Sequence, residues 1–357
     1  MFELCALSGF IKIALGYHHT LILKEDSSLW TTTINLVGRF VTSYFVANRF
    51  TQAFARGVTA VAAGRDFSMV VKRDDSLWAM GRNNHGQLGD GTRLRKGNFF
   101  FVQIIPQATA IATGGLHSMV LTKKGNVWGT GRNEFGQLGD GSESDRSRFS
   151  VVSYGGTVAV AAGDAHSLLL KKDGSLWAAG KNRNGQLGDG TQNARRNFVK
   201  VMSGGVMAVV AGGCHSMVLT QTGSVWTTGQ NYDGQLGDGS TMDRYTYANV
   251  VSNWVKAIAA GRRHNMILKQ DGSVWATGYN IYGQLGDGSL INSDVFVQVI
   301  SGGVEAIAAG GLHSMVVKRD GSIWATGSNK DGQFGDGSTT RKEIFTKLAP
   351  FRTGPDM

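Results

Sequence analysis

Short apolar runs alternate with glycine- and aspartate-rich breaks along the whole chain, and each run can be placed as a strand without invoking a helix. One stretch shows the pattern in full, "VEAIAAGGLHSMVVKRDGSIWATGSNKDGQFGDGS" from Val304. "EAIAAG" and "HSMVVK" read as two strands. Asp320-Gly321 is a two-residue hairpin turn, and "SIWATG" is the returning strand. A fourth strand follows the next glycine cluster, as in "VFVQVIS" ending at Ser301 or "NFVKVMS" ending at Ser203. Runs such as Met315-Val316-Val317 do not alternate with polar residues, so both faces of their sheet are expected to be covered.

The pattern recurs. Tryptophans stand at Trp30, Trp78, Trp128, Trp177, Trp226, Trp275 and Trp324, with successive separations of 48, 50, 49, 49, 49 and 49 residues; Trp254 alone lies off this grid. Eleven residues before each comes His19, His117, His166, His215, His264 or His313, with Phe67 in the second copy. The hexapeptide "GQLGDG" begins at Gly86, Gly136, Gly185, Gly234 and Gly283, and returns at Gly332 with Phe334 in place of leucine. A four-stranded unit of about this length cannot bury both faces alone, so the copies must stack on one another. Seven stacked sheets closing into a ring leave no long free edge, which predicts an all-β, seven-bladed β-propeller of four-stranded antiparallel blades. The chain opens with "FIKIALG" and closes with "IFTKLA", so the terminal strands are expected to share one blade. Residues 1–349 then form a single propeller domain and 350–357 a disordered tail.

"AGGLHSMVV", "DGSIWATG" and "NKDGQFGDG" together resemble the repeats of the regulator of chromosome condensation family, over nearly the whole chain. The resemblance implies the same seven-bladed ring. It implies less about activity, because that family includes an exchange factor for the small GTPase Ran, propeller modules of ubiquitin ligases and a bacterial β-lactamase inhibitor. The first copy departs from the pattern: "GRFVTS" from Gly38 stands where the hexapeptide should be, and Thr33 where other copies have glycine. The seam between first and last blades is therefore expected to be the weakest. Even spacing elsewhere leaves no room for the long inserted hairpin that the exchange factor uses as a wedge.

Composition narrows the class further. Of 357 residues 51 are glycine and 3 proline, which suits many tight turns better than a disordered linker. Cys5 and Cys214 have neither a disulfide framework nor metal-ligand spacing. No basic leader segment and no run of about 18 apolar residues is present, so a soluble protein of cytoplasm or nucleus is expected, with no membrane partner. The abrupt start within a repeat would suit a piece cut from a longer multidomain chain. A formal charge of +10 admits acidic partners.

The repeated letters favour scaffold over chemistry. A phosphate loop would need a helix N-terminus after the hexapeptide, and a polar segment and strand follow instead. Calcium would need roughly 6–8 oxygen ligands where each loop offers one aspartate. In His117-Ser118 or His215-Ser216, neighbours on one strand face opposite ways, so no Ser-His-Asp machinery is expected. The histidines read as structural hydrogen-bonding residues, and the tryptophans as apolar plates between blades whose indole N–H needs a partner. No catalytic residue, metal, cofactor or small-molecule substrate is expected.

Positions that vary between copies are the candidates for specificity. A basic residue follows the hexapeptide at Arg95, Lys96, Arg146, Arg195, Arg196, Arg244, Arg341 and Lys342, while Asn292 and Ser293 break the series. In a ring these form a basic rim, with Lys200, Arg262 and Arg263 elsewhere in loops and strand ends. A second set follows the third strand of each repeat and includes Phe135, Tyr232, Tyr279 and Tyr282, an aromatic loop patch of the composition found at interaction hot spots. The reading is a rigid protein-interaction platform, a scaffold or adaptor propeller. Its alternatives are guanine-nucleotide exchange on a Ran-like small GTPase, and binding of chromatin, nucleic acid or an acidic protein surface through the rim.

Overall fold

The computed structural model describes residues 12–32 and 48–349. They form seven four-stranded antiparallel sheets, each made of strands consecutive in sequence, and no helix occurs among the described residues. Numbered along the chain, the blades span 12–54, 58–104, 108–153, 157–202, 206–251, 255–300 and 304–347. Blade 6 illustrates the unit, with inner strand Val255–Ala260, then His264–Lys269, Val274–Gly278 and the outer Ser293–Ile300. Ile267 lies opposite Trp275, and Trp275 opposite Gln298. The second strand is buried along nearly its whole length because blades pack on both of its faces, which explains its unbroken apolar run.

The core lies between blades. Met266, Leu268, Val274 and Leu285 of blade 6 pack with Ile307, Val316 and Trp324 of blade 7. Val120 and Trp128 of blade 3 likewise join Met69, Leu77 and Leu88 of blade 2. Each tryptophan thus sits as a plate against the preceding blade. In five of the seven the indole N–H is satisfied by the serine two residues earlier, as Trp177 Nε1 donates to Ser175 Oγ at 3.0 Å and Trp324 Nε1 to Ser322 Oγ at 2.9 Å. Burying such a side chain contributes about 1.5–3 kcal/mol, and the repeat supplies the contact at one seam after another.

The ring closes differently from the expected shared blade. The "KIAL" strand Lys12–Leu15 pairs within blade 1, and Lys342–Lys347 pairs within blade 7. Among the described residues no strand is exchanged between blades, because every repeat begins at an inner strand and ends at an outer one. Loops do the joining instead. The hexapeptide of each of blades 2 to 7 reaches forward and hydrogen-bonds the outer segment of the next: Gly239 N donates to Asp294 O at 2.9 Å, Gly288 N to Glu343 O at 2.9 Å and Gly337 N to Asn48 O at 2.7 Å. The last of these, with the bridge between Asp336 and Arg49, clasps blade 7 to blade 1. Because clasps point forward, an impaired first copy bears on the seam between blades 1 and 2 and leaves the closure between blades 7 and 1 equipped. The degenerate segment itself, from Gly38, lies outside the described residues, as do Cys5, Thr33 and the tail 350–357.

Glycine is required at two places in this design. In the clasp, Gly283, Gly286 and Gly288 hold φ of 79°, 78° and 83°, a region that costs residues with a Cβ about 1–2 kcal/mol. At the inner wall, a Cβ on Gly261 would lie 2.3 Å from His264 Cε1 and 2.6 Å from Gly310 O, so the blades meet there backbone to backbone.

Candidate protein-binding face

In an up-and-down blade, the turn between strands one and two and the loop between strands three and four emerge at the same end. Inner turns and clasps therefore share one face of the ring, and the Asp-Gly hairpins occupy the other. The variable residues singled out in the sequence fall on the clasp face.

A buried asparagine just before each hexapeptide, not identified from the sequence, organises the clasp. Asn231 Nδ2 donates to Asp238 Oδ1 at 3.0 Å and to Ser240 O at 2.9 Å, while its Oδ1 accepts from Leu236 N at 2.9 Å. Asn83, Asn133, Asn182, Asn280 and Asn329 sit equivalently and are fully buried. Their invariance between copies is the sequence signal that marks them. Burial alone would raise the carboxyls of Asp90, Asp140, Asp189 and Asp238. Hydrogen bonds from the following Ser or Thr, the asparagine and, in the last three, an arginine overcome it and hold them below the usual carboxylate range.

The basic rim is largely occupied by these same carboxylates. Arg146 lies 2.5 Å from Asp140, Arg195 2.7 Å from Asp189, Lys96 3.5 Å from Asp90, and Arg244 pairs with Asp238. Arg196 pairs with Glu143 at 2.7 Å and Arg341 with Glu343 of its own blade at 3.1 Å, both more exposed. Arg95 lies on the lip of a hollow beside His18 and Asp66, and Lys342 stands opposite Gly327 at the start of its strand.

The histidines form a relay between blades. His117 Nε2 lies 2.8 Å from Ser167 Oγ, and Ser167 Oγ donates to Gln137 O at 2.8 Å. With its proton committed, the serine must accept, so the imidazole is the neutral Nε2–H tautomer. The same geometry links His166 to Ser216 and His264 to Ser314, and His215 to Asn265. His19, His117 and His215 are pushed down to about 4 and His166, His264 and His313 to about 3, with burial the leading cause. A serine whose hydroxyl donates to a carbonyl in a fully buried site offers no nucleophile. Among the described residues no group of His, Cys, Asp and Glu is placed to hold a metal ion.

The structure brings three of the four aromatic candidates together. Arg263, from the inner turn of blade 6, lies 4.6 Å from the ring of Tyr232 on blade 5 and 4.4 Å from that of Tyr279. Tyr279 contacts Tyr282 at 6.3 Å between ring centres. Beneath them Arg263 pairs with Asp233 at 2.5 Å. Burial raises the Asp233 carboxyl despite the arginine, and Asn292 adds a bond at 3.3 Å. Tyr232 and Ile281 keep 54% and 51% of their surface exposed, so the ledge is rigid underneath and open above. Phe135 belongs to blade 3 and lies apart, between Arg132 at 5.9 Å and Lys181 at 5.3 Å.

Fold and face together define a closed, seven-bladed propeller whose loops on one side are held by a repeated clasp. The chain belongs to the family of the regulator of chromosome condensation (RCC1) repeat: one profile matches residues 58–87, 108–137, 157–186, 207–235, 255–284 and 304–333, and a second matches 74–121, 124–170, 173–219, 222–268 and 271–317. Among solved structures it is similar to human WBSCR16, at 22% identity and a TM-score of 0.77 over 89% of each chain. It is similar also to Prp20p of Saccharomyces cerevisiae, described with its binding to Gsp1p and histones, at 20% identity and a TM-score of 0.74 over 90% of this chain and 84% of that one. A search of curated protein sequences finds no match. No helix among the described residues is long and apolar enough to cross a membrane.

Proposed function

We propose that this propeller is a protein-interaction platform that holds a protein partner on its clasp face, with the ledge of Tyr232, Arg263, Tyr279 and Tyr282 as the main contact. The observation that carries the reading is the arginine stacked between two tyrosines and anchored on a buried aspartate. Such an arrangement gives aromatic and guanidinium surface at little cost in side-chain entropy, as binding hot spots require. The rim arginines contribute less, since Arg146, Arg195 and Arg244 are already paired within their own clasps.

Affinity capture from native extract, read by mass spectrometry, tests this with wild-type protein, a Tyr232→Ala/Tyr279→Ala variant, and a variant carrying Gln at Arg95, Arg146, Arg195, Arg244 and Arg341. A partner lost by the tyrosine variant and kept by the arginine variant is the expected result; the opposite pattern overturns the ledge. The family also supports a reading as an exchange factor for a Ran-like GTPase, which requires faster nucleotide release at sub-stoichiometric propeller. Polyanion binding through the rim requires affinity that falls steeply with salt.

A further inference from the structure

The seven inner turns carry different residues at the position after the channel glycine: Tyr17, Arg65, Gly115, Asp164, Gly213, Arg262 and Gly311. These ring the mouth of the central channel, at the middle of the clasp face, over a cavity of about 140 Å³ walled by alanine and glycine. Tyr17 reaches across the mouth and donates its hydroxyl to Asp164 Oδ1, joining blade 1 to blade 4. Burial, then Asp164, raises the tyrosine far above its ordinary value, so the hydroxyl keeps its proton and remains a donor. Arg262 and Arg65 stand 5.0 and 5.6 Å from the tyrosine ring.

Unlike Arg146, Arg195 and Arg244 of the rim, these guanidinium groups have no close carboxylate. Arg262 is 3.7 Å from Asp164; Arg65 is 3.8 Å from Asp66, which is shared with Arg82 at 3.6 Å. Charge-assisted bonds of this kind normally close to about 2.7–2.9 Å. Two arginines, Arg65 and Arg262, and one carboxylate, Asp164, line the cavity, so one positive charge is in excess at a concave mouth. The glycines keep that mouth open: a Cβ on Gly213 would lie 2.7 Å from Arg262 O and 3.4 Å from Asp164 Oδ2.

We propose that the channel mouth receives one carboxylate, carried by an acidic segment of the protein partner, with Tyr17 as the lid that it displaces; this rests on the platform reading above. The incoming carboxylate takes the guanidinium edges of Arg65 and Arg262 and neutralises the excess charge. The cavity is well below the roughly 300–1,000 Å³ of pockets for drug-sized ligands, so a single side chain is the fitting occupant.

Calorimetry tests this with a blocked Gly/Glu pentapeptide, its Gly/Gln counterpart and free glutarate as probes. The Glu peptide should bind at least about tenfold tighter than the Gln peptide, and Arg65→Gln or Arg262→Gln should each weaken it by about fivefold or more. Asp164→Asn removes the competing carboxylate and should tighten binding by about threefold. In protein labelled with 3-fluorotyrosine, the ¹⁹F signal assigned to Tyr17 through Tyr17→Phe should shift on saturation. Equal binding of the two peptides, or indifference to Arg65 and Arg262, overturns the proposal; glutarate binding as tightly as the peptide overturns the partner segment in favour of a small free acid. Capture lost only on the ledge variant, with a peptide indifferent to both arginines, removes the mouth and spares the platform. Peptide binding that depends on them, without any ledge-dependent partner, removes the platform instead.

Discussion

Lowering the pH from 7 to 5.5 should withdraw stability at six histidines at once. His19, His117, His166, His215, His264 and His313 are buried as neutral donors, with folded values of about 3 to 4. The unfolded chain holds them near 6.5, so it binds more protons than the native ring throughout this window. A depressed histidine contributes stability that is complete above its unfolded value and is lost as pH falls from there toward the folded one. At pH 5.5 each unfolded imidazole carries about 0.9 proton, so six give a slope of about 7 kcal/mol per pH unit. Integrated from pH 7, the loss is about 7–8 kcal/mol, comparable with the roughly 5–15 kcal/mol that holds a whole domain. The clasp carboxylates and the hairpin aspartates, such as Asp173 and Asp271, are held below their ordinary range, so their contribution goes only at lower pH. Urea unfolding followed by tryptophan fluorescence at half-unit steps measures the slope, and His117→Phe, which copies the natural Phe67, should remove about one proton from it. A slope below about two protons near pH 5.5, or one unchanged in His117→Phe, would refute the neutral relay.

Three further outcomes follow from the clasps and seams. Asn231→Ala strands the Leu236 N–H and takes two bonds from the clasp, and should cost about 3 kcal/mol in urea unfolding; a loss under about 1 kcal/mol would show that the clasp does not depend on it. Gly261→Ala drives a methyl into Gly310 O and the His264 ring, and should destabilise by about 2 kcal/mol or more in the same assay, whereas a neutral result would mean that the inner wall can give. In native-state hydrogen exchange, blade 2 should open at lower free energy than blade 6. Tyr17 and Arg65 are the mouth positions whose amide makes no backbone hydrogen bond into the next blade among the described residues, and Phe67 supplies no donor to Ser118; equal protection in both blades would contradict this.

The repeat made much of this protein readable in one dimension. Strand positions, the number of blades, the hairpin turns and the tryptophan with its serine two residues earlier depend on neighbours a few residues apart, and local alternation and turn chemistry encode them. The candidate binding surface was legible only as positions that vary between copies. Sequence periodicity placed Tyr232 and Tyr279 in equivalent loops, but their shared contact with Arg263 depends on how blade 5 meets blade 6. Likewise, five of the six relay histidines find their partner about 50 residues onward, His313 meets Thr20 across the ring closure, and Tyr17 meets Asp164 across the channel. Closure followed the same division. The letters called for a ring, but whether a strand or a loop joins its ends depends on which segment reaches the next sheet, and packing between blades decides that.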